Sequence, residues 1–197
     1  MLSGNEWDFG DGAQRKWHEI LVGRGHITIP VYEMGGLTIA HSPTGLFISY
    51  SDRQMTGAPM LRLNDTEAIP APDMLVYTSS VLMWHDVKAK SKPTWRRNGS
   101  RWEHGCDLAC AEDYRKAQQF TGAPAYIVVQ ETSIPTDAGA ESDLEDGNGW
   151  LFIRVDDAFV HGDIRTDWPG GKHSPRRRGK RGKGGLLWPR ESMTRFQ

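Results

Sequence analysis

Three residues stand where charge is costly. Asp73, Asp86 and Lys88 interrupt the apolar run PDMLVYTSSVLMWHDVK, and burying an unpaired charge in such a run is expensive. Two carboxylates brought together repel unless a proton or a cation joins them. Oxygen ligands beside a lysine suit a hard divalent cation such as Mg2+, which keeps several of its waters. Such an ion polarises a phosphoryl oxygen and supplies hydroxide, and a nearby ammonium orients the water or stabilises developing charge. The chemistry on offer is hydrolysis of a phosphate ester. The plainer alternative is a buried salt bridge between Lys88 and one of the two aspartates.

The elements that would bring these groups together are two β-rich runs, DMLVYT and VLMWHDVKA, flanking Ser79-Ser80. A hairpin turning at that pair sets Thr78 opposite Val81 and Tyr77 opposite Leu82. Counting outward, it sets Asp73 opposite Asp86, with both side chains on one face. Lys88, two residues beyond Asp86, shares that face. Ser-Ser is not a favoured two-residue turn, and a loop of odd length would slip the pairing. Leu75, Tyr77, Leu82 and Trp84 fall on the charged face. Met74, Val76, Val81, Met83 and Val87 fall on the other. Strands apolar on both faces are expected inside a sheet.

Around the hairpin, AQRKWHEILVGRG predicts a first helix over 13–25, with Ala13, Trp17, Ile20 and Leu21 on one face and Gly23 or Gly25 ending it. Three β-rich runs follow, HITIPVYEM, GLTIAHS and GLFISYS. CDLACAEDYRKAQQFTG predicts a second helix ended by Gly122, then APAYIVVQE and WLFIRV predict strands. An acidic, Gly-rich loop separates these last two. The order is that of an α/β (α+β) domain with a mixed sheet.

This order and these charges resemble the PD-(D/E)xK nuclease superfamily. PD at 72–73 followed by DVK at 86–88 is similar to its motif, and residues 13–129 follow its core order. The resemblance implies a restriction-endonuclease-like core: helix, three-stranded antiparallel meander, helix, strand. It implies Mg2+-dependent hydrolysis of DNA phosphodiester bonds, with Mn2+ as a substitute and a 5′-phosphate product. Asp73 and Asp86 would be metal ligands, with the Val87 carbonyl within reach, and Lys88 the catalytic lysine. Endonuclease, Holliday-junction resolvase and recombination exonuclease all belong to the family. A homodimer would suit paired-strand or junction cutting, and a closed tunnel an exonuclease. HGCDLACAEDYRKAQQFTGAPAYIVV is similar to the helix and strand after the motif in small phage nucleases.

Many members carry a first-helix glutamate that helps to hold metal. On a helical wheel Glu19 lies nearly opposite the Trp17/Ile20/Leu21 face, whereas Gln14 and His18 lie at its margin. Gln14 is therefore the candidate to replace that glutamate. With fewer acidic ligands, the competing reading is a nucleic-acid-binding phage accessory protein without catalysis. In the second helix Tyr114 and Gln118 share a face. They would either reach the scissile phosphate or water, or pack in the core and cap its edge.

The formal net charge of −1 is uneven. Residues 161–197 hold 10 Lys/Arg and 3 Asp/Glu, leaving 14 Lys/Arg and 22 Asp/Glu to residues 1–160. The sequence thus divides into a nuclease-like domain over 1–160 and a basic Gly/Arg-rich C-terminal extension over 161–197, whose LLWPRESM end can dock on the core. Arg176, Arg177, Arg178, Lys180 and Arg181 in that extension would track a nucleic-acid backbone or serve only as solvated charge. The segment KSKPTWRRNGSRWEHG offers Lys90, Lys92, Arg96, Arg97 and Arg101 for phosphates, with Trp95 for stacking on bases. Its alternative is a solvated loop.

His104, Cys106 and Cys110 lack the number and spacing of a zinc site. The cysteines, expected one helical turn apart, are poorly set for a disulfide, which suits a reducing, cytoplasmic setting. No apolar run reaches membrane-span length, so no membrane partner is expected.

Overall fold

The computed structural model describes residues 5–31, 37–42, 45–50, 60–64, 66–89, 93–131, 133–135, 141–143, 149–166 and 184–196. In chain order the elements are α1 (Asn5–Gly23), β1 (Ile27–Pro30), β2 (Leu37–Ser42), β3 (Gly45–Tyr50), β4 (Met60–Arg62), β5 (Ala68–Pro70), β6 (Met74–Tyr77) and β7 (Leu82–Ala89). There follow β8 (Thr94–Arg96), β9 (Arg101–Asp107), α2 (Leu108–Thr121), β10 (Ala125–Glu131), β11 (Ser133–Pro135) and β12 (Glu141–Asp143). The chain closes with β13 (Gly149–Arg154), α3 (Val155–His161), β14 (Asp163–Arg165), β15 (Gly185–Pro189) and β16 (Thr194–Arg195). The class is mixed α/β. Two units interleave along the chain: Met1–Ala89 with Asp113–Ile127, and Lys90–Glu112 with Val128–Gln197.

In the first unit α1 buries Ala13, Trp17 and Leu21, spaced four apart on one face. Its C-terminus is a Schellman motif. The His26 N–H reaches the Leu21 carbonyl at 3.1 Å and the Gly25 N–H reaches Val22 at 2.9 Å. Gly25 takes the left-handed φ of 81° that this closure needs. Strands β1, β6 and β7 form an antiparallel meander in which Ile27 pairs with Tyr77, and Tyr77 with Leu82. The first residues of β10 continue the sheet beside β7. Helix, three antiparallel strands, helix and strand therefore appear in the expected order. Strands β2–β5, inserted between β1 and β6, form a separate sheet in the order β3-β2-β4-β5. That sheet is mixed: β2 pairs antiparallel with β3 and parallel with β4.

The hairpin register is the one counted from the sequence. Met74 pairs with His85, Leu75 with Trp84 and Val76 with Met83. The turn closes by the Thr78 N–H on the Val81 carbonyl at 3.0 Å. Burial on both faces holds at the Asp73 end, where Met74, Leu75, Val76, Trp84 and Val87 are buried. At the turn end it fails, and Tyr77 and Val81 are exposed.

In the second unit β14-β15-β9-β8 form a four-stranded sheet, and the later part of β10 leads a row with β13 and β16. Here the structure corrects several expectations. The basic, aromatic segment expected as a loop is the hairpin β8–β9, with Trp95 opposite Trp102 and Arg96 opposite Arg101. Cys106 is on β9, paired with Leu186, so α2 starts at Leu108 and the cysteines do not share a helix. Within the acidic loop β11 and β12 pair. On either side of 167–183 the strands pair, Arg165 of β14 lying opposite Gly185 of β15. Gly105 has no room for a side chain, since a Cβ there would meet the Leu186 carbonyl oxygen at 2.7 Å. Among the described residues no helix is long and apolar enough to cross a membrane.

Candidate active site

Asp73 immediately precedes β6, and Asp86 and Lys88 lie on β7. Because the hairpin register runs out through Met74 and His85, Asp73 comes beside Asp86. Its Oδ2 accepts the Val87 N–H at 2.8 Å, so the side chain closes the ladder where β6 begins. Gln14 of α1 donates a second hydrogen bond to the same carboxylate. Burial, reinforced by the negative charge of Asp86, pushes the Asp73 carboxyl up to about 7, against the lowering effect of Lys88, Val87 and Gln14. The residue as a whole is half-buried while its acid group is well desolvated.

Lys88 extends from β7 with its Nζ 2.6 Å from Asp86 Oδ2. That oxygen is buried, and the approach lacks hydrogen-bond geometry, so Asp86 Oδ2 has an ion-pair partner but no hydrogen bond. The ammonium donates instead to the Tyr114 hydroxyl oxygen on α2 at 3.0 Å, and lies 5.4 Å from the centre of that ring. Asp86 is buried and the Lys88 side chain about a quarter exposed.

Of the residues singled out in sequence, Gln14, Asp73, Asp86, Lys88 and Tyr114 meet in one place. Gln118 is used elsewhere. Its side-chain oxygen accepts the Ala125 N–H at 3.0 Å, tying α2 to the start of β10. Glu19 is exposed. Arg96 and Arg101 are engaged in ion pairs with Glu103 and Asp163. Trp95 packs edge-on against Trp102 at 5.1 Å. Lys90, Lys92, Arg176, Arg177, Arg178, Lys180 and Arg181 lie outside the described residues, as does the side chain of Arg97.

Sequence reasoning passed over two buried polar groups. His85, buried beside Asp86 in sequence on β7, accepts the Trp17 indole N–H. In the second unit Glu131 is 1% exposed and holds His104 Nε2 at 2.6 Å together with a two-pronged Arg190 at 2.8 and 2.7 Å. The only local signal for Glu131 was a carboxylate ending an apolar strand.

Among the described residues no group of three or more His, Cys, Asp or Glu side chains is placed to hold a metal. The donors at the hairpin end are two carboxylates. Their mutual repulsion and the poorly satisfied Asp86 Oδ2 fit a hard cation that fills most of its shell with water.

No family model matches the chain, and no curated protein matches it. Among solved structures it is similar to Hjc, a Holliday junction resolvase of Archaeoglobus fulgidus, with 12% identity over 93% of this chain and 85% of that one, and a TM-score of 0.45.

Proposed function

We propose that this chain is a Mg2+-dependent deoxyribonuclease acting through Asp73, Asp86 and Lys88. The observation that carries the reading is the meeting of two repelling carboxylates and one lysine ammonium at the end of a hairpin. Asp73 and Asp86, with the Val87 carbonyl, would hold the ion. Mg2+ bound there supplies charge to polarise a phosphoryl oxygen and to acidify water. Gln14 and the Val87 N–H fix the Asp73 carboxylate. The Lys88 ammonium, braced by Tyr114, would stabilise the negative charge that grows on the phosphoryl oxygens. Endonuclease action is the form proposed; junction resolution and exonuclease action are its alternatives within the same family, and DNA is the partner that the resemblance implies.

A second reading rests on the 2.6 Å approach of Lys88 to Asp86. A buried ion pair satisfies Asp86 without metal, leaving a nucleic-acid-binding protein that does not cut. One assay separates the two. Purified protein is incubated with supercoiled, linear, single-stranded and branched DNA in Mg2+, Mn2+ or EDTA, beside Asp86→Ala and Lys88→Ala. Metal-dependent cleavage lost in both variants is the expected result. Cleavage that is absent in the parent protein, or survives both substitutions, rejects the mechanism; retained binding without cutting selects the second reading.

A further inference from the structure

The hairpin β8–β9 puts two like charges directly opposite one another. Arg96 pairs with Arg101 in the ladder, an arrangement that destabilises a sheet unless anions lie between. Two anions do. Glu103 Oε1 accepts Arg96 Nη1 at 3.0 Å and Arg101 Nε at 2.9 Å. Asp163 Oδ2, reaching in from β14, accepts the same Arg96 Nη1 and also Arg101 Nη2, the latter at 3.1 Å. The two carboxylates differ in setting. The Glu103 side chain is 2% exposed and that of Asp163 is 51% exposed. One is a fixed inner anion. The other is an outer anion at the protein surface, accepting both guanidiniums on a single oxygen.

We infer that Arg96 and Arg101 form a phosphodiester-binding site that Asp163 closes by occupying the place of a backbone phosphate. The charges suit that ligand. With Asp163 turned outward, two guanidiniums and the Glu103 carboxylate leave one net positive charge, which matches the single negative charge of a phosphodiester. Paired guanidiniums offer the forked donors that phosphate oxygens accept. The lowered pKa of Asp163, caused chiefly by its hydrogen bond from Arg96, is consistent with a site built for an anion. Nucleic acid therefore competes with an internal carboxylate for this site, and Asp163 sets the affinity. The inference shares with the proposed nuclease only its nucleic-acid partner and requires no chemistry at Asp73 or Asp86.

The test is oligodeoxynucleotide binding by the full chain in EDTA, where no metal-dependent cleavage interferes, followed by fluorescence anisotropy across salt. Asp163→Asn is expected to bind about tenfold more tightly at low salt. Each additional phosphate neutralised steepens the dependence of log affinity on log salt by about 0.7 for a single strand. Arg96→Gln added to Asp163→Asn removes both effects. Asp157→Asn, which neutralises another exposed acid of the same unit, leaves the salt slope unchanged. If Asp163→Asn binds no more tightly and keeps the parent slope, Asp163 is only a clamp on the sheet and the inference fails. It fails equally if Asp163→Asn takes up inorganic phosphate without any tighter binding of the oligonucleotide. Should Asp163→Asn not fold, Arg96→Gln and Arg101→Gln decide with Asp163 intact: each lowers affinity and slope if the site is used, and binding indifferent to both overturns it.

Discussion

Trp17 donates its indole N–H to Nδ1 of His85 across 3.0 Å. Indole nitrogen can only donate, so Nδ1 must be unprotonated and the imidazole neutral, with its proton on Nε2. Burial, helped by the charge of His26, pushes the His85 pKa down to about 3. The unfolded chain binds this proton near pH 6.5 and the folded chain does not. Stability is therefore present above that value and is lost as pH falls toward 3. His85→Phe should flatten this acid limb in urea unfolding between pH 4 and 6.5, at the cost of about 1 kcal/mol near neutrality for the lost Trp17 bond. An acid limb as steep as the parent's would show that the proton is taken up elsewhere.

Asp73 predicts a slope of opposite sign. Its folded pKa, about 7, lies above the ordinary 3.8, so the folded chain holds a proton that the unfolded chain has lost. This contribution is greatest below pH 3.8 and disappears as pH rises through 7. In EDTA, Asp73→Asn should be more stable than the parent at pH 8 and should lose this downward slope. Because Asp73 and Asp86 interact, the proton belongs to the pair, and Asp86→Asn should produce part of the same effect. Mg2+ should raise the melting temperature of the parent at pH 8 and leave Asp73→Asn unmoved, as mass action on a folded-state site requires. A melting temperature indifferent to Mg2+ in the parent would count against the metal site.

The hairpin was legible because its information is local. Two strands joined by two residues leave one register, and Thr78 opposite Val81 carries it out to Asp73. Gln14 was legible from the helical wheel, since α1 packs the face that bears Trp17. The partners of the basic residues were less legible. Arg96 and Arg101 look available in sequence, but their neutralising partner Asp163 is 67 and 62 residues away. After residues 167–183, Gly185–Pro189 pairs with β9, a ladder between segments far apart in sequence that no local pattern announces. Cys106 followed a helical pattern but lies in that same ladder, which overrode local propensity.

Glu131 illustrates a group whose partners lie 27 and 59 residues off in sequence. Burial alone would raise its pKa, but the hydrogen bonds and charges of His104 and Arg190 outweigh burial and hold it below the usual glutamate range. Its stabilising contribution is present above the ordinary value of 4.5 and is lost as pH falls below it. Arg190→Met should cost about 3 kcal/mol, because it strips the two-pronged partner from a buried carboxylate. Glu131→Gln with Arg190→Met should recover part of that loss in chemical denaturation. Additive losses would mean that the pair is not coupled.

Tyr114 bears on catalysis through Lys88. Its hydroxyl oxygen accepts the ammonium at 3.0 Å, and its ring lies close enough to attract the same charge. Tyr114→Phe keeps the ring and deletes the acceptor. A hydrogen bond contributes about 1 kcal/mol, which corresponds to about fivefold in rate if it is needed to aim the ammonium in the transition state. Cleavage by Tyr114→Phe should therefore show kcat reduced by about fivefold with KM unchanged, since Lys88 keeps its charge and only loses direction. Tyr114→Leu, which removes the ring as well, should reduce kcat further and also lower stability, because the side chain is buried. If Tyr114→Phe instead raised KM at constant kcat, the hydroxyl would be binding substrate directly and the brace on Lys88 would be incidental.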